Sequence, residues 1–319
     1  MSWRGCALLV CPVPNKAITL YNTLLSPAQA AKLKTLLREE GYKFESRPYT
    51  LYFAQKDKLT IAVYEKGPKV VIQGRSTEDF VKYRLEPDIL GEAKLGYEEV
   101  LYPEMFEPHF GIDESGKGDF FGPLVIAGVH VDRDLARHFQ QAGVADSKRI
   151  SSDKRIRDLA AAIRKSGAAQ SVVVIGPDRY NALFAKIGNL NRLLAWGHAR
   201  VLENLCALRP ECPRALSDKF ADVHVLKRAL MEKGRSITLD QRTKAESDFA
   251  VAAASILARE KFIDWLDTAG RRLGVLLPRG VSASVKEAAR KIVETGGRDA
   301  LGSVAKMHFK TASEVLAGS

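Results

Sequence analysis

Cysteine is scarce in this chain of 319 residues, and the four present, Cys6, Cys11, Cys206 and Cys212, have neither the C-x-x-C pairing of a zinc site nor the density of a secreted disulfide scaffold. They read as reduced and incidental. No stretch approaches the ~20 consecutive apolar residues of a membrane span. The apolar run Cys6 to Val10 is shorter than a signal-peptide core and meets Pro12 and Pro14 at once. The expectation is therefore a soluble, cytoplasmic protein with no membrane partner. Internal repeats, low-complexity segments and runs of like charge are also missing. Acids fall short of bases, 38 against 49, for a formal net charge of +11 and a pI near 9.4. That balance favours a polyanionic partner, with nucleic acid ahead of a membrane surface.

What is present is enough apolar material, 46% of residues, for at least one full core, and a length that favours two domains. Residues 1–92 read as a small α+β domain. "AITLYNTLL" is strand-like, and "SPAQAAKLKTLLREEG" predicts a helix with Ser26 as N-cap, Pro27 in its first turn and Gly41 as terminator. The runs "YTLYFAQ", "LTIAVYE" and "KVVIQG" follow as strands joined by hairpin turns, and a further helix is expected within "STEDFVKYRLEPDILG". Residues 93–108 read as a linker, since periodicity is poor and Pro103 and Pro108 interrupt it. Residues 109–319 alternate buried-type strands ("HFGID", "LVIAGVHV", "QSVVVIG") with amphipathic helices, which predicts an α/β domain with a mixed sheet flanked by helices.

The segment "GIDESGKGDFFGPL", Gly111 to Leu124, comes close to a phosphate-binding P-loop. Gly118 stands where the magnesium-holding hydroxyl belongs, and Asp113 and Glu114 would repel phosphates inside the cradle, so no nucleotide cofactor is expected. Two adjacent carboxylates at a strand end suit the holding of hard divalent cations. Further carboxylates are sought at strand ends and helix starts. Asp218 follows a short "RALS" segment, and Glu246 stands where "AESDFAVAAASILAREKF" opens a helix, with Asp248 on another face. Taken singly, Asp218 also suits an ordinary turn and Glu246 an ordinary first-turn acid. Gly116 and Gly118 would let backbone amides approach a sugar or phosphate, with Lys117 neutralising a phosphate oxygen. Asp146, Ser147 and Lys148 fit a phosphate contact or a helix cap equally. His198 reads as a packed or surface histidine, because magnesium prefers oxygen donors.

These motifs resemble the bacterial ribonuclease HIII family, a relative of ribonuclease HII. The resemblance rests on "DESGKGDFFGPL", "DSK", "PDRYNALFAKIGNLNRLLAWGH", "LSDKF", "TKAESDFAVAAASILAR", "LPRGVS" and "AKMHFKTA", in family order across most of residues 109–319. Gly-Lys-Gly after the acid pair, and Glu246 as fourth carboxylate, are similar to type HIII. The resemblance implies a ribonuclease H-like catalytic domain that hydrolyses the RNA strand of RNA–DNA hybrids, leaving 5′-phosphate and 3′-hydroxyl ends. It also implies a catalytic and metal-binding set of Asp113, Glu114, Asp218 and Glu246 that holds two Mg2+ or Mn2+ ions. Gly116, Lys117 and Gly118 are then the contacts to the ribose 2′-hydroxyl and backbone, with Ser147 and Lys148 as further substrate contacts. The N-terminal region resembles half of a TATA-binding protein, which implies a substrate-gripping sheet face for which Lys56, Lys58, Tyr64, Lys69 and Arg75 are candidates. Phe120 stands where the family often has Tyr. A monomer is expected. Two other classes remain open at this stage: a nucleic-acid-binding protein without catalysis, and a nucleotide-binding phosphotransferase.

Overall fold

The computed structural model describes residues 18–91, 98–144, 150, 152–219, 223–230, 232–243 and 245–317. Asp146, Ser147 and Lys148 lie outside the described residues. The chain forms two compact units, Met1–Glu104 and Met105–Ser319.

In the first unit the elements are β1 (Leu20–Leu24), α1 (Pro27–Glu39), β2 (Lys43–Glu45), β3 (Thr50–Lys56), β4 (Leu59–Tyr64), β5 (Lys69–Gly74) and α2 (Thr77–Phe80). The last of these continues as a wide π-type helix, Val81–Leu90, that accommodates Pro87. A short α3 (Glu98–Leu101) and a 3-10 turn at Pro103–Phe106 occupy part of the segment expected to be an irregular linker. Helix α1 starts where the sequence placed it: Ser26 accepts from the Gln29 amide, and the Gln29 side chain accepts from the Ser26 amide. The five strands form an antiparallel sheet in the order β1-β5-β4-β3-β2. One face is apolar, with Tyr52, Ala54, Ile61, Val63, Val70 and Ile72 packed on Leu33 and Leu37 of α1 and on Leu85. The three-residue β2 escaped the sequence reading because it is too short to show alternation.

The second unit runs β6 (His109–Ser115), β7 (Leu124–Val131), α4 (Arg133–Ala142), α5 (Asp153–Lys165), β8 (Gln170–Ile175), α6 (Pro177–Ile187) and α7 (Leu190–Leu208). It continues with β9 (Arg214–Asp218), α8 (Val223–Ala229), β10 (Thr238–Arg242), α9 (Phe249–Leu273), α10 (Ala283–Gly302) and α11 (Lys310–Ala317). The sheet order is β10-β9-β6-β7-β8, parallel between β10, β9 and β6 and antiparallel between β6, β7 and β8. All eight residues of β7 are buried, which is why its sequence is apolar but for His130. Helix α9 covers one face of the sheet, and α7 covers the other. Ile156, Leu159 and Ile163 of α5 and Leu194, Val201 and Leu205 of α7 are all buried at the spacing their periodicity predicts.

Gly111, read in sequence as the first glycine of a near P-loop, sits inside β6. A Cβ there would lie 2.1 Å from the Ala250 carbonyl carbon, so this glycine lets α9 rest on the sheet and is no part of a phosphate cradle.

Candidate active site

Strand periodicity separates the two adjacent acids. Successive residues of β6 face opposite sides of the sheet: Phe110 and Ile112 pack in the α7 layer, whereas Gly111 meets α9. Asp113 accordingly turns to the α9 side, where Ser255 donates to it, and Glu114 turns to the α7 side. In β9, one residue beyond the pairing of Ile112 with Ser217, Asp218 stands laterally beside Asp113. It shares a side with Leu216, which packs against Ala245 and Val251 on the α9 side. The sheet thus sets two carboxylates from segments about a hundred residues apart next to each other at the ends of neighbouring parallel strands.

Glu246 enters from that same side. It is half-buried in the 3-10 turn Ala245–Ser247, ahead of α9, and is not the residue that opens the helix. The helix N-cap is Asp248, whose Oδ1 accepts from the Ala250 and Val251 amides at 2.8 and 3.3 Å. The buried His109 side chain, at the start of β6, donates from Nε2 to Asp248 at 2.9 Å and fixes the turn to the strand. Among the described residues, no three His, Cys, Asp or Glu side chains already stand together as a metal-binding group. Asp113 and Asp218 are brought side by side, Glu246 approaches on their side, and Glu114 stands across the strand.

The charges respond to this placement. Burial pushes the Asp113 carboxyl up to about 7; Glu114 and, more weakly, Asp218 add to the rise, against the hydrogen bond from Ser255. Burial would raise Glu114 as well, but the hydrogen bond and charge of His198, with Lys117, hold it below the ordinary carboxylate range. Lys117 Nζ lies 3.5 Å from Glu114 Oε1. His198 is buried on α7 and donates from Nε2 to Glu114 Oε2 at 3.0 Å. Of the two readings, packed or surface, the packed one holds, and beyond packing His198 orients an acid, a role its own segment gave no sign of because its partner is 84 residues away. A buried carboxylate that no cation among the described residues offsets, beside a second one, suits a hard divalent ion with oxygen donors, and the donor set fits magnesium or manganese.

The loop after β6 uses its glycines for different ends. Gly116 has φ +86°, and a Cβ there would lie 2.2 Å from the Pro123 carbonyl oxygen, so the fold itself demands glycine. Gly118 has no such φ, nothing within 4 Å of an added Cβ, and is exposed. Among the described residues nothing requires glycine at 118, so the fold would admit a side chain there. Phe120 is fully buried against Phe121 and Phe309, ring centroids 4.9 and 6.2 Å away, an apolar setting that suits a ring without a hydroxyl.

In the first unit, the open sheet face carries Tyr64 and Lys69, which pair across β4 and β5. Lys56 departs from the expected set: its Nζ donates to the Glu40 carbonyl at 2.7 Å, on the helix side.

A family model described as Ribonuclease HII matches residues 110–312. The ribonuclease HIII of Protochlamydia amoebophila is 42% identical over 296 residues, covering 93% of this chain and 96% of that protein. That of Chlamydia caviae is 40% identical over 299 residues, covering 93% and 97%. Among solved structures, Bst-RNase HIII in complex with Mn2+ aligns with a TM-score of 0.64 at 28% identity, covering 94% of this chain and 98% of that one. Aquifex aeolicus RNase H3 aligns at 0.52 and 27%, covering 91% and 100%.

Proposed function

Since the chain belongs to the ribonuclease HII family, with type HIII relatives over 93% of its length, it is a ribonuclease H, and we propose that it cuts the RNA strand of RNA–DNA hybrids to leave 5′-phosphate and 3′-hydroxyl ends. The observation that carries this reading is the side-by-side placement of Asp113 and Asp218 at the ends of parallel strands, beside the Gly116–Gly118 loop.

Asp113, Glu114, Asp218 and Glu246 would hold two Mg2+ or Mn2+ ions; the relative Bst-RNase HIII is known in complex with Mn2+. Such ions supply an activated water and neutralise charge at the scissile phosphate. The chain's own part is positional. His198 keeps Glu114 ionised and aimed, and Ser255 fixes Asp113. Lys117 offsets phosphate charge, while the bare backbone at Gly118 admits a ribose 2′-hydroxyl, the group that separates RNA from DNA at one strand position. Ser147 and Lys148 are proposed, from their motif alone, to touch the phosphate backbone. Tyr64 and Lys69, on the open sheet face of the first unit, are proposed to grip the hybrid.

The test is cleavage of an end-labelled RNA–DNA hybrid beside RNA and DNA duplexes, with Mg2+, Mn2+ or a chelator. Metal-dependent cutting confined to the RNA strand of the hybrid is the expected result. Binding of the hybrid without cutting under either metal would replace this reading with that of a binding module. The two loop glycines should part company in the same assay. Gly118→Ala should melt like the parent but bind hybrid about tenfold more weakly, as a misplaced contact does. Gly116→Ala should lose roughly 1–3 kcal/mol of stability through its left-handed backbone, read as a lower thermal midpoint. Equal melting of the two variants would refute the division of roles.

A further inference from the structure

Lys306 is a fully buried lysine outside the set of carboxylates proposed to hold metal. Its Nζ donates to the carbonyl oxygens of Asp119 and Gly122 at 2.8 Å each and of Phe121 at 3.4 Å. An ammonium has three N–H donors, so all three are used on one short loop, the continuation of Gly116–Gly118. Backbone bonds join the same two segments. The Lys306 amide donates to Phe120, the Gly122 amide donates to Val304, and Phe121 bridges Ala305 in antiparallel fashion.

The C-terminal segment is itself clasped from α6. Asn181 Nδ2 donates to the carbonyls of Gly302 and Ala305 at 3.1 and 2.9 Å, and its Oδ1 accepts from the Met307 amide at 2.9 Å. The Tyr180 ring faces the ammonium at 5.7 Å, a favourable seat for a cation. From the far side, the Gly280 amide donates to Asp119 Oδ1 at 2.6 Å, and the Phe120 amide donates to the Gly280 carbonyl at 3.1 Å. "PDRYNALF", "LPRGVS" and "AKMHFKTA", three motifs with no part in holding metal, thus meet on one loop. The burial of Lys306 costs its charge dearly, pushing its pKa down to about 7 against the pull of Asp119. A hydrophobic residue would spare that cost but leave the loop carbonyls of Asp119, Phe121 and Gly122 without this donor, so what the buried amine supplies is its hold on the loop.

We propose that Lys306 is a positioning residue for substrate: seated on three loop carbonyls and clasped through Asn181, it sets the backbone of Gly116–Gly118 at the distance a hybrid requires. The proposal rests on the reading of that loop as a nucleic-acid contact.

The experiment uses the full chain carrying Asp113→Asn to prevent cutting, with Lys306→Met, Asn181→Ala and Gly118→Ala singly and combined. Two quantities are read: the Kd for a fluorescent RNA–DNA hybrid, and amide hydrogen exchange of residues 116–122 without nucleic acid. Lys306→Met should raise the Kd about tenfold or more and speed exchange in the loop. Adding Gly118→Ala to it should cost less than the product of the single effects, because both act through one contact. A folded Lys306→Met with Kd and exchange within twofold of the parent, or strict additivity with Gly118→Ala, overturns the proposal. Should Lys306→Met fail to fold, Asn181→Ala decides on the same readouts, since it removes only a half-buried amide and no core volume. A parent that binds no hybrid, with loop exchange still slowed by Lys306, would sink the functional reading and leave the clasp standing.

Discussion

Replacing Asp113 by Asn should lower the rate of hybrid cleavage by about 10³-fold, the scale of losing one group aimed at charge in the transition state, while hybrid affinity stays within a few-fold of the parent. The argument is positional. Asp113 is the buried acid that stands between Glu114 on its own strand and Asp218 on the next, so no neighbouring carboxylate can move into its place without leaving its strand. Asn keeps the size and the hydrogen bond to Ser255 but removes the charge that a cation needs. His198→Ala should behave differently. It leaves every carboxylate in place and unaims only Glu114, so cleavage should fall about 10- to 100-fold, as for other groups that orient a ligand, and His198→Gln should recover part of it. Single-turnover cleavage and anisotropy on the same hybrid separate the cases. An Asp113→Asn enzyme within tenfold of the parent would remove this residue from the catalytic set.

In metal-free protein, stability should fall as pH rises from about 4 to about 7, and Asp113→Asn should abolish the fall. The Asp113 carboxyl has an ordinary value of 3.8 and is raised to about 7 in the fold. Across that window the native state keeps a proton that the unfolded chain has lost, so the native state binds more protons and stability declines with pH. The contribution is fully present below about 4 and gone above about 7. Glu114, held below its ordinary 4.5, adds the opposite slope only at the acid end of the window, where the unfolded chain's carboxyl is still ionising, and is not touched by the substitution. The size is on the order of 4 kcal/mol, from ~1.4 kcal/mol for each tenfold step between 3.8 and about 7. Asp113→Asn should therefore melt above the parent at pH 8 and level with it at pH 4, in chelator. Mn2+ should reverse the order for the parent, raising its midpoint more at pH 8 than at pH 5, because the ligating carboxylate must be ionised. Matching pH profiles for parent and variant would show that Asp113 ionises without cost.

Much of the fold was legible one segment at a time. The capping box at Ser26, the apolar run Leu124–Val129 of β7 and the helical spacing of α5 and α7 are local patterns, and each element stands where its pattern put it. The strands β2 and β10 were missed, the first for its length and the second because "TLDQR" is polar and alternates weakly at a sheet edge. The near P-loop, set aside in sequence for its two acids and its missing hydroxyl, has its first glycine inside β6, where Gly111 serves helix packing.

The sequence by itself determined the chemistry on offer: an excess of basic charge, acids at Asp113, Glu114, Asp218 and Glu246, and a Gly-Lys-Gly loop in an order shared with ribonuclease HIII. These are properties of composition and local spacing, which survive without knowledge of neighbours. The tertiary structure alone decided who faces whom. Strand alternation sent Asp113 and Glu114 to opposite sides, parallel pairing set Asp218 beside Asp113, and α7 brought His198 to Glu114 across 84 residues. The same folding buried Lys306 under a loop some 185 positions away. Contacts of that range depend on sheet register and helix packing, which no single segment encodes.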